Sequence, residues 1–589
     1  MRIRAADARP RRPQRETFQG TGVSRGSALG RARVRLPHVL QITEQRIGPA
    51  EVTGELKRLH AALALARSEM QALREQLHGA LAHEVGEFLD LHSLLLDDPE
   101  LLRGLDGLIR DGRYSADYAL RLQRDRIASV FAGMDDPYLR SRIDDIDQVI
   151  GRIHAALHRR EAEHRGAAGE VLVSQDIAPT ELAQLQGQGV VAIVTVAGSS
   201  MSHAAILARS LHLPLVVGAG EVLSRVNDGD VLVVDGDSGL VVLEPGPADL
   251  RAHRDRQRAQ AREHRALSRF RHAPSRTADG VEILLQANAE SAEDLAAAHA
   301  LGAAGVGLYR SEFLFLGGRD TLPDEDEQFR AYRDAVIGMA GQPVTIRTLD
   351  LGADKADRTG LAVRSEANPA LGLRGIRLSL RHPSLLLTQL RAVLRASAYG
   401  PVRILLPMIT SREEVLAVRG RLAQAAAGLR DEGIETVAVP LGAMIEVPAA
   451  AIALRDFIDA VDFLSIGTND LVQYLLAADR GNPHLDGLYS PLHPALVRLL
   501  HDVLRTCTTH RRPVAVCGEV AGDPEFVPLL LALGLTEFSL HPSRLLEVRR
   551  AIAKIDLAGL RAAAPALRRA RERATIVHWL AAQAGQAKV

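Results

Sequence analysis

VAGSSMSHAAILARSLHLPLVVG, residues 196–218, is the stretch from which the fold of this chain is read. The apolar run VVAIVT (190–195) leads into it, and Ala197, Gly198, Ser199 and Ser200 are small turn residues. Ile206, Leu207 and Leu211 then repeat at helical spacing before LVVG resumes an apolar run. Strand, turn, helix and strand make an α/β unit, with His203 at the helix entrance. Unpaired backbone NH groups and the positive end of the helix dipole favour an anion there, by about 0.3 to 1 kcal/mol per charge. A neutral imidazole so placed can attack phosphorus, and the donors around it meet the phosphoryl group it acquires. Taken alone, the same residues also describe a capped helix with an incidental histidine.

Working outward, residues 170–245 alternate strand and helix around that unit: EVLVS, TELAQL, VVAIVT, the His203 helix, LVVG, DVLVVD and LVVLEP. Upstream, FQGTGVSRGSALGRARVRL (18–36) reads as one or two edge strands of this later domain. Between the two, residues 51–161 are helical almost throughout, with Leu56, Leu59, Leu63, Met70, Leu73 and Leu77 on one face. Asp98–Pro99 and Asp136–Pro137 mark helix boundaries within it. A bundle inserted without chemistry of its own is either a docking surface or a packing domain. Downstream, residues 248–272 form a charged helix with few apolar positions, read as a linker.

From 280 to 555 strand and helix alternate again. The strand candidates are VEILLQAN, GVGLYR, PVTIRT, LRGIR, VRILLPM, VAVPLGAMIE, VDFLSIG and PVAVCG. Eight units of this size match a (β/α)8 barrel of about 250 residues, whose reactive groups lie at the carboxyl ends of the strands. Those ends carry Arg310, Arg347, Arg374, Glu446, Asn469 with Asp470, and Cys517. Three guanidinium forks at one mouth imply a multiply charged anion. Lys355, in LDLGADK, is either a fourth cation or a solvated loop lysine. Glu446 and Asp470, with no His and Cys ligand set beside them, suit magnesium. Arg480 could hold a substrate carboxylate. Cys517, between an apolar strand and Gly518, should keep its thiol protonated, which makes it either an inert buried cysteine or a proton donor to a carbanion.

Composition narrows the classes. The 589 residues exceed one core and suggest roughly three or four domains. Lys plus Arg equals Asp plus Glu at 72 each, so nothing asks for nucleic acid or an anionic membrane. No apolar run approaches the ~18 residues of a membrane span. The two cysteines, Cys507 and Cys517, make no disulfide framework, which fits a reducing, cytoplasmic location. The Arg-rich start, MRIRAADARPRRPQRET, lacks the apolar core of a secretory signal and reads as a disordered basic tail or, second, an organelle transit peptide.

Together with SHAAILARSLHLPLVVG, the strings GLYRSEFLF, DEDEQFRAYRDA, IRTLDLGADK, NPALGLRGIR, MIEVPAA, DFLSIGTNDLVQYLLAADRGN and AVCGEVAGD give the chain a resemblance to enzyme I of the bacterial phosphotransferase system over residues 18–555. The resemblance implies that His203 carries a phosphoryl group taken from phosphoenolpyruvate. It further implies that Arg310, Arg347, Asn469, Asp470 and Arg480 bind that substrate, that Glu446 and Asp470 hold magnesium, and that Cys517 protonates the enolate. The phosphoryl group would pass to the carrier protein HPr, or a nitrogen-branch homologue, on the helical insertion, and the protein would be a homodimer through its barrel. The expected fold is multidomain α/β: a phosphohistidine α/β domain with an inserted helical bundle, plus a C-terminal (β/α)8 barrel of the TIM type.

The expected divisions are a basic tail at 1–17, edge strands at 18–50, the carrier-binding bundle at 51–161 and the phosphohistidine domain at 165–246. A helical linker at 247–272, the barrel at 273–560 and a helical tail at 561–589 complete the chain. Two hydroxyls usual beside the phosphohistidine are replaced by Met201 and Ala178, which bears on the rate and lifetime of the intermediate; Gly352–Ala353 stands for the usual Gly-Gly. Phosphoenolpyruvate synthase and pyruvate phosphate dikinase are rivals, but need an ATP-binding domain for which residues 1–170 have no room and no Gly-rich phosphate loop. A non-catalytic partner-binding regulator is the rival of another class.

Overall fold

The computed structural model describes residues 15–35, 44–76, 92–132, 143–158, 169–177, 181–182, 185, 187–198, 203–211, 213–315, 322–351, 366, 368–479, 485 and 487–586. Two compact units divide the chain, residues 1–262 and 263–589.

The first unit is built on an eight-stranded sheet in the order β1-β8-β7-β3-β4-β5-β6-β2. The strands are β1 (Glu16–Gln19), β2 (Thr21–Ser24), β3 (Ser27–Arg35), β4 (Glu170–Ser174), β5 (Ala192–Thr195), β6 (Leu215–Val217), β7 (Val231–Asp235) and β8 (Leu240–Leu243). Strands β3 to β6 run parallel, and antiparallel neighbours flank them. Thus β1 and β2 lie at the two edges, whereas β3, grouped with them on sequence, sits inside between β7 and β4. Because β1 starts at Glu16, and Arg15 is paired with Asp249, the basic tail cannot extend to residue 17.

Burial on both faces follows the pleat. Leu172, Ile193 and Leu215 join one core, and Val171, Val173, Ala192, Val194 and Val216 the other. The first core is shared with the helices α1 (Val52–Gln76), α2 (Pro99–Arg110), α3 (Ala116–Ala132) and α4 (Ile143–Leu157). Asp98 caps α2, accepting from the NH groups of Glu100 (2.6 Å) and Leu101 (3.1 Å), with Pro99 as the first helical residue. Asp136–Pro137 lies outside the described residues. Helix α5 (His203–Ser210) follows β5, and Ala204, Ala205 and Ala208 bury its inner face. Helix α6 (Pro247–Ser268) is less free than a linker: His253 is buried with Nδ1 2.7 Å from Ser27 Oγ, and Arg256 pairs with Asp235 at 2.9 Å.

The second unit is a closed parallel barrel of β9 (Leu284–Ala289), β10 (Val306–Arg310), β11 (Val344–Arg347), β12 (Val402–Leu406), β13 (Leu441–Ile445), β14 (Phe463–Ile466), β15 (Val514–Val516) and β16 (Glu537–Leu540). Seven of the expected strands are present, and one is wrong. LRGIR is not a strand: Gly375 has φ 58°, and the helix Ile376–Arg381 follows it. The eighth strand is EFSL, overlooked because its three buried residues, Phe538, Ser539 and Leu540, include only two apolar ones.

Two further boundaries shift. In helix α8 (Leu545–Ile552), once α7 (Thr468–Leu476) is counted, the buried Arg549 donates to the carbonyls of Phe270, Arg271, Leu301 and Gly302, which ties residues 270–271 to the barrel. The C-terminal segment is no separate tail. Helices α9 (Leu557–Arg569) and α10 (Arg573–Gln586) bury Leu560, Leu567, Ile576 and Trp579 in the barrel core.

Candidate active site

The carboxyl ends of the barrel strands bring together most of the residues singled out by sequence. Arg310 ends β10 and Arg347 ends β11; Glu446 immediately follows β13, Cys517 follows β15, and Asn469 and Asp470 lie in the first turn of α7. Arg374 comes from a loop, not from a strand end, and still reaches the cluster. Its approach depends on Gly375, where a Cβ would sit 2.8 Å from Met408 Cγ and 3.1 Å from Asp350 Oδ1.

The hub is Asp350, which sequence reasoning missed. Its side chain is 2% exposed, and its Oδ2 accepts from Arg347 at 2.8 Å and from Arg374 at 3.1 Å. Burial works against ionisation there, but the two guanidinium groups hold the carboxyl below the usual range. Arg347 also pairs with Glu312 at 3.1 Å, and Arg374 reaches Asp470 Oδ1 at 3.5 Å and Tyr474 Oη at 3.1 Å. Arg310 is paired with Glu290. The signal for Asp350 was present: an acid three residues past a strand end, set between Leu349 and Leu351, both almost fully buried. Glu312 in RSEFLF could have been found the same way.

Glu446 is 1% exposed and accepts from the Met408 NH at 2.6 Å. Burial, then Asp350 and Asp470, push its carboxyl up to about 8, against the pull of Arg347. Carboxylate oxygens of Asp350, Glu446 and Asp470 all lie within 4.8 Å of one another. Among the described residues, the three arginines meet five carboxylates, those of Glu290, Glu312, Asp350, Glu446 and Asp470. With Glu446 ionised that is an excess of two negative charges, which one divalent cation would balance; without a cation, burial and that excess hold Glu446 in its protonated form at neutral pH. Glu312 Oε2, Thr348 Oγ1 and Thr468 Oγ1 are also buried without a hydrogen-bond partner among the described residues. A hard, oxygen-ligated cation fits this donor set.

Asn469 is fixed through Glu519, donating to its carboxylate at 3.1 Å and accepting from its NH at 3.0 Å. Cys517 is buried with Leu308, Leu405, Met444 and Phe463, and its Sγ lies 3.5 Å from the Ile466 carbonyl. Burial raises the thiol above its ordinary range, which favours its protonated form. Lys355 and Arg480 lie outside the described residues, as do Ala178, Met201 and the serines at 199, 200 and 202. His203 is the first residue of α5, in the other unit.

Gly518 packs against the start of α7. A Cβ there would sit 1.8 Å from Thr468 Oγ1 and 2.9 Å from the Thr468 backbone nitrogen. Gly518→Ala is therefore expected to push the turn bearing Asn469 and Asp470 outward, costing about 1–3 kcal/mol in urea unfolding and weakening divalent-cation binding. Unchanged unfolding and unchanged cation binding would show that this turn has room to spare.

Residues 19–142 match the family described as PEP-utilising enzyme, N-terminal; residues 166–239 match PEP-utilising enzyme, mobile domain; and residues 264–557 match PEP-utilising enzyme, PEP-binding domain. A phosphoenolpyruvate-protein phosphotransferase of Cupriavidus necator is 45% identical over 548 residues, covering 91% of this chain and 94% of that relative. One from Geobacillus stearothermophilus is 39% identical, covering 92% and 93%. A solution NMR structure of an Enzyme I protein aligns with 41% of this chain and 99% of its own at 28% identity, with a TM-score of 0.34.

Proposed function

This chain belongs to the phosphoenolpyruvate-protein phosphotransferases, within the PEP-utilising enzymes, and from that premise we propose which of its residues move the phosphoryl group. Phosphoenolpyruvate is the donor and a phosphocarrier protein of the phosphotransferase system the recipient. Arg310, Arg347 and Arg374 bind the phosphate, with Lys355 as a further cation. Asn469 and Arg480 orient the substrate carboxylate. Glu446 and Asp470, with Asp350 beside them, would hold a divalent cation, magnesium. That ion supplies Lewis-acid neutralisation of the phosphate and enolate oxygens.

His203 attacks phosphorus as a neutral imidazole: a P–N bond forms, the P–O bond to the enol oxygen breaks, and enolpyruvate leaves with the electron pair. The Cys517 thiol then gives its proton to the enolate carbon, yielding pyruvate. The recipient is the histidine of HPr or of a nitrogen-branch homologue, docked on the helices between residues 51 and 161. We place the reaction in the cytoplasm and the barrel at a homodimer interface. No described helix is long and apolar enough to cross a membrane.

The observation that carries this reading is the convergence of Arg347, Arg374, Asp350, Asp470 and Glu446 on one barrel mouth. Its test is stoichiometric. With excess phosphoenolpyruvate and magnesium the chain alone should release one pyruvate and stop, and a histidine phosphocarrier should restore turnover. Sustained conversion of ATP and pyruvate without a carrier would instead establish the dikinase class.

A further inference from the structure

Three helices of the first unit meet at a single carboxylate. Asp117, in α3, presents Oδ1 to two imidazoles: His158 Nε2 at 2.7 Å and His154 Nε2 at 3.5 Å. The two histidines are four residues apart, so they share one face at the end of α4, and their rings lie 4.6 Å apart at 51°. The other oxygen, Oδ2, accepts from Arg58 of α1, which Glu55 holds in turn at 2.9 Å.

We propose that Asp117, His154 and His158 form a binding site for a transition-metal ion of the zinc class, which staples α3 to α4. Two imidazole nitrogens and one carboxylate oxygen are three protein ligands of the types that zinc takes, with a fourth position left for water. All three donor atoms lie within 4.8 Å of one another. Tetrahedral zinc with bonds near 2.0–2.1 Å separates its ligand atoms by about 3.3 Å. The 3.5 Å contact already matches that spacing, and the 2.7 Å contact needs to open by a few tenths of an ångström. Side-chain rotation of His158, 44% exposed, supplies it and leaves an access path, while Asp117 and His154 are 16% exposed and pre-set.

The Arg58–Asp117 pair fixes the plane of the carboxylate, as partners of metal-binding groups commonly do. Selectivity over magnesium, a cation that prefers all-oxygen sites, comes from the two imidazole nitrogens. The site is thus chemically distinct from the all-carboxylate cluster of the barrel.

The test uses the full chain with magnesium in large excess, so that the barrel carboxylates do not compete. Cobalt(II) is followed by its visible absorption, and zinc(II) by calorimetry and thermal unfolding. The expected result is one ion per chain, cobalt bands of a nitrogen-ligated low-coordination site, and a higher unfolding temperature with zinc. In His154→Gln/His158→Gln only the Asp117 carboxylate is left of the three ligands, so one-to-one binding and the zinc-dependent rise in unfolding temperature should both be lost, while self-phosphorylation by phosphoenolpyruvate stays as in the parent. Cobalt binding that survives the double substitution would overturn the proposal. So would histidines that respond to protons alone, with no zinc-dependent shift in unfolding.

Discussion

Replacing Arg347 by Ala is expected to slow phosphorylation of the chain by phosphoenolpyruvate by about 10² to 10³. Two features of the site set that size. Arg347 is 12% exposed and held by Glu312 at 3.1 Å and Asp350 at 2.8 Å, so its fork is fixed before any ligand arrives. Preorganised donors in a dry site are worth more than mobile ones, because no reorientation is left to be done in the transition state. The same truncation leaves two buried carboxylates without their shared cation, which should also destabilise the fold by about 3–5 kcal/mol. Rates must therefore be compared on folded protein, with Arg347→Lys alongside. The lysine keeps the charge and loses the planar fork, and should recover stability more than rate. A folded Arg347→Ala protein slowed less than tenfold would remove this residue from the phosphate site.

Glu446→Gln is expected to act in opposite directions on stability and on activity. Burial and the neighbouring Asp350 and Asp470 raise the carboxyl to about 8. An acid whose folded value exceeds its unfolded one destabilises the fold as pH rises between the two, that is from the ordinary glutamate range to about 8. At neutral pH, without divalent cations, the neutral amide should therefore raise stability, on the order of 1–3 kcal/mol. Its carbonyl oxygen can still accept from the Met408 NH, which lies 2.6 Å from the native carboxylate. With magnesium present the order should reverse: the native chain gains stability from the ion, the variant gains little, and phosphoryl transfer falls by about 10² or more. Thermal unfolding with and without magnesium across this pH range reads both signs. A variant that is less stable than the parent without the ion would show that Glu446 is a structural acid.

Much of this site was legible because barrels put chemistry at one end of every strand, and apolar runs ending in Arg310, Arg347 and Cys517 are conspicuous. Glu446 was legible for the same reason, as an acid directly after the buried run LGAMI. Asp350 was passed over because the loop LDLGADK offered a lysine with an obvious role, and of the acid's two cationic partners only Arg347 is near in sequence, Arg374 coming from 24 residues further along. Arg374 was chosen for a mistaken reason, as the end of a strand that is a positive-φ glycine followed by a helix. EFSL escaped because a four-residue strand has too few alternations to stand out from its flanks. Charge pairing across the mouth, unlike periodicity, leaves no mark along the chain. The histidine pair at 154 and 158 shows helical spacing in sequence, but its third partner, Asp117, is supplied only by the packing of α3 on α4.

Whether His203 carries the phosphoryl group is read by mixing the chain with magnesium and phosphoenolpyruvate labelled at phosphorus, and following the label on the protein. One label per chain is expected, labile in acid and stable in base as a phosphoimidazole is, present in the parent and absent in His203→Ala. Label that persists in His203→Ala, or that is stable in acid, would contradict this assignment.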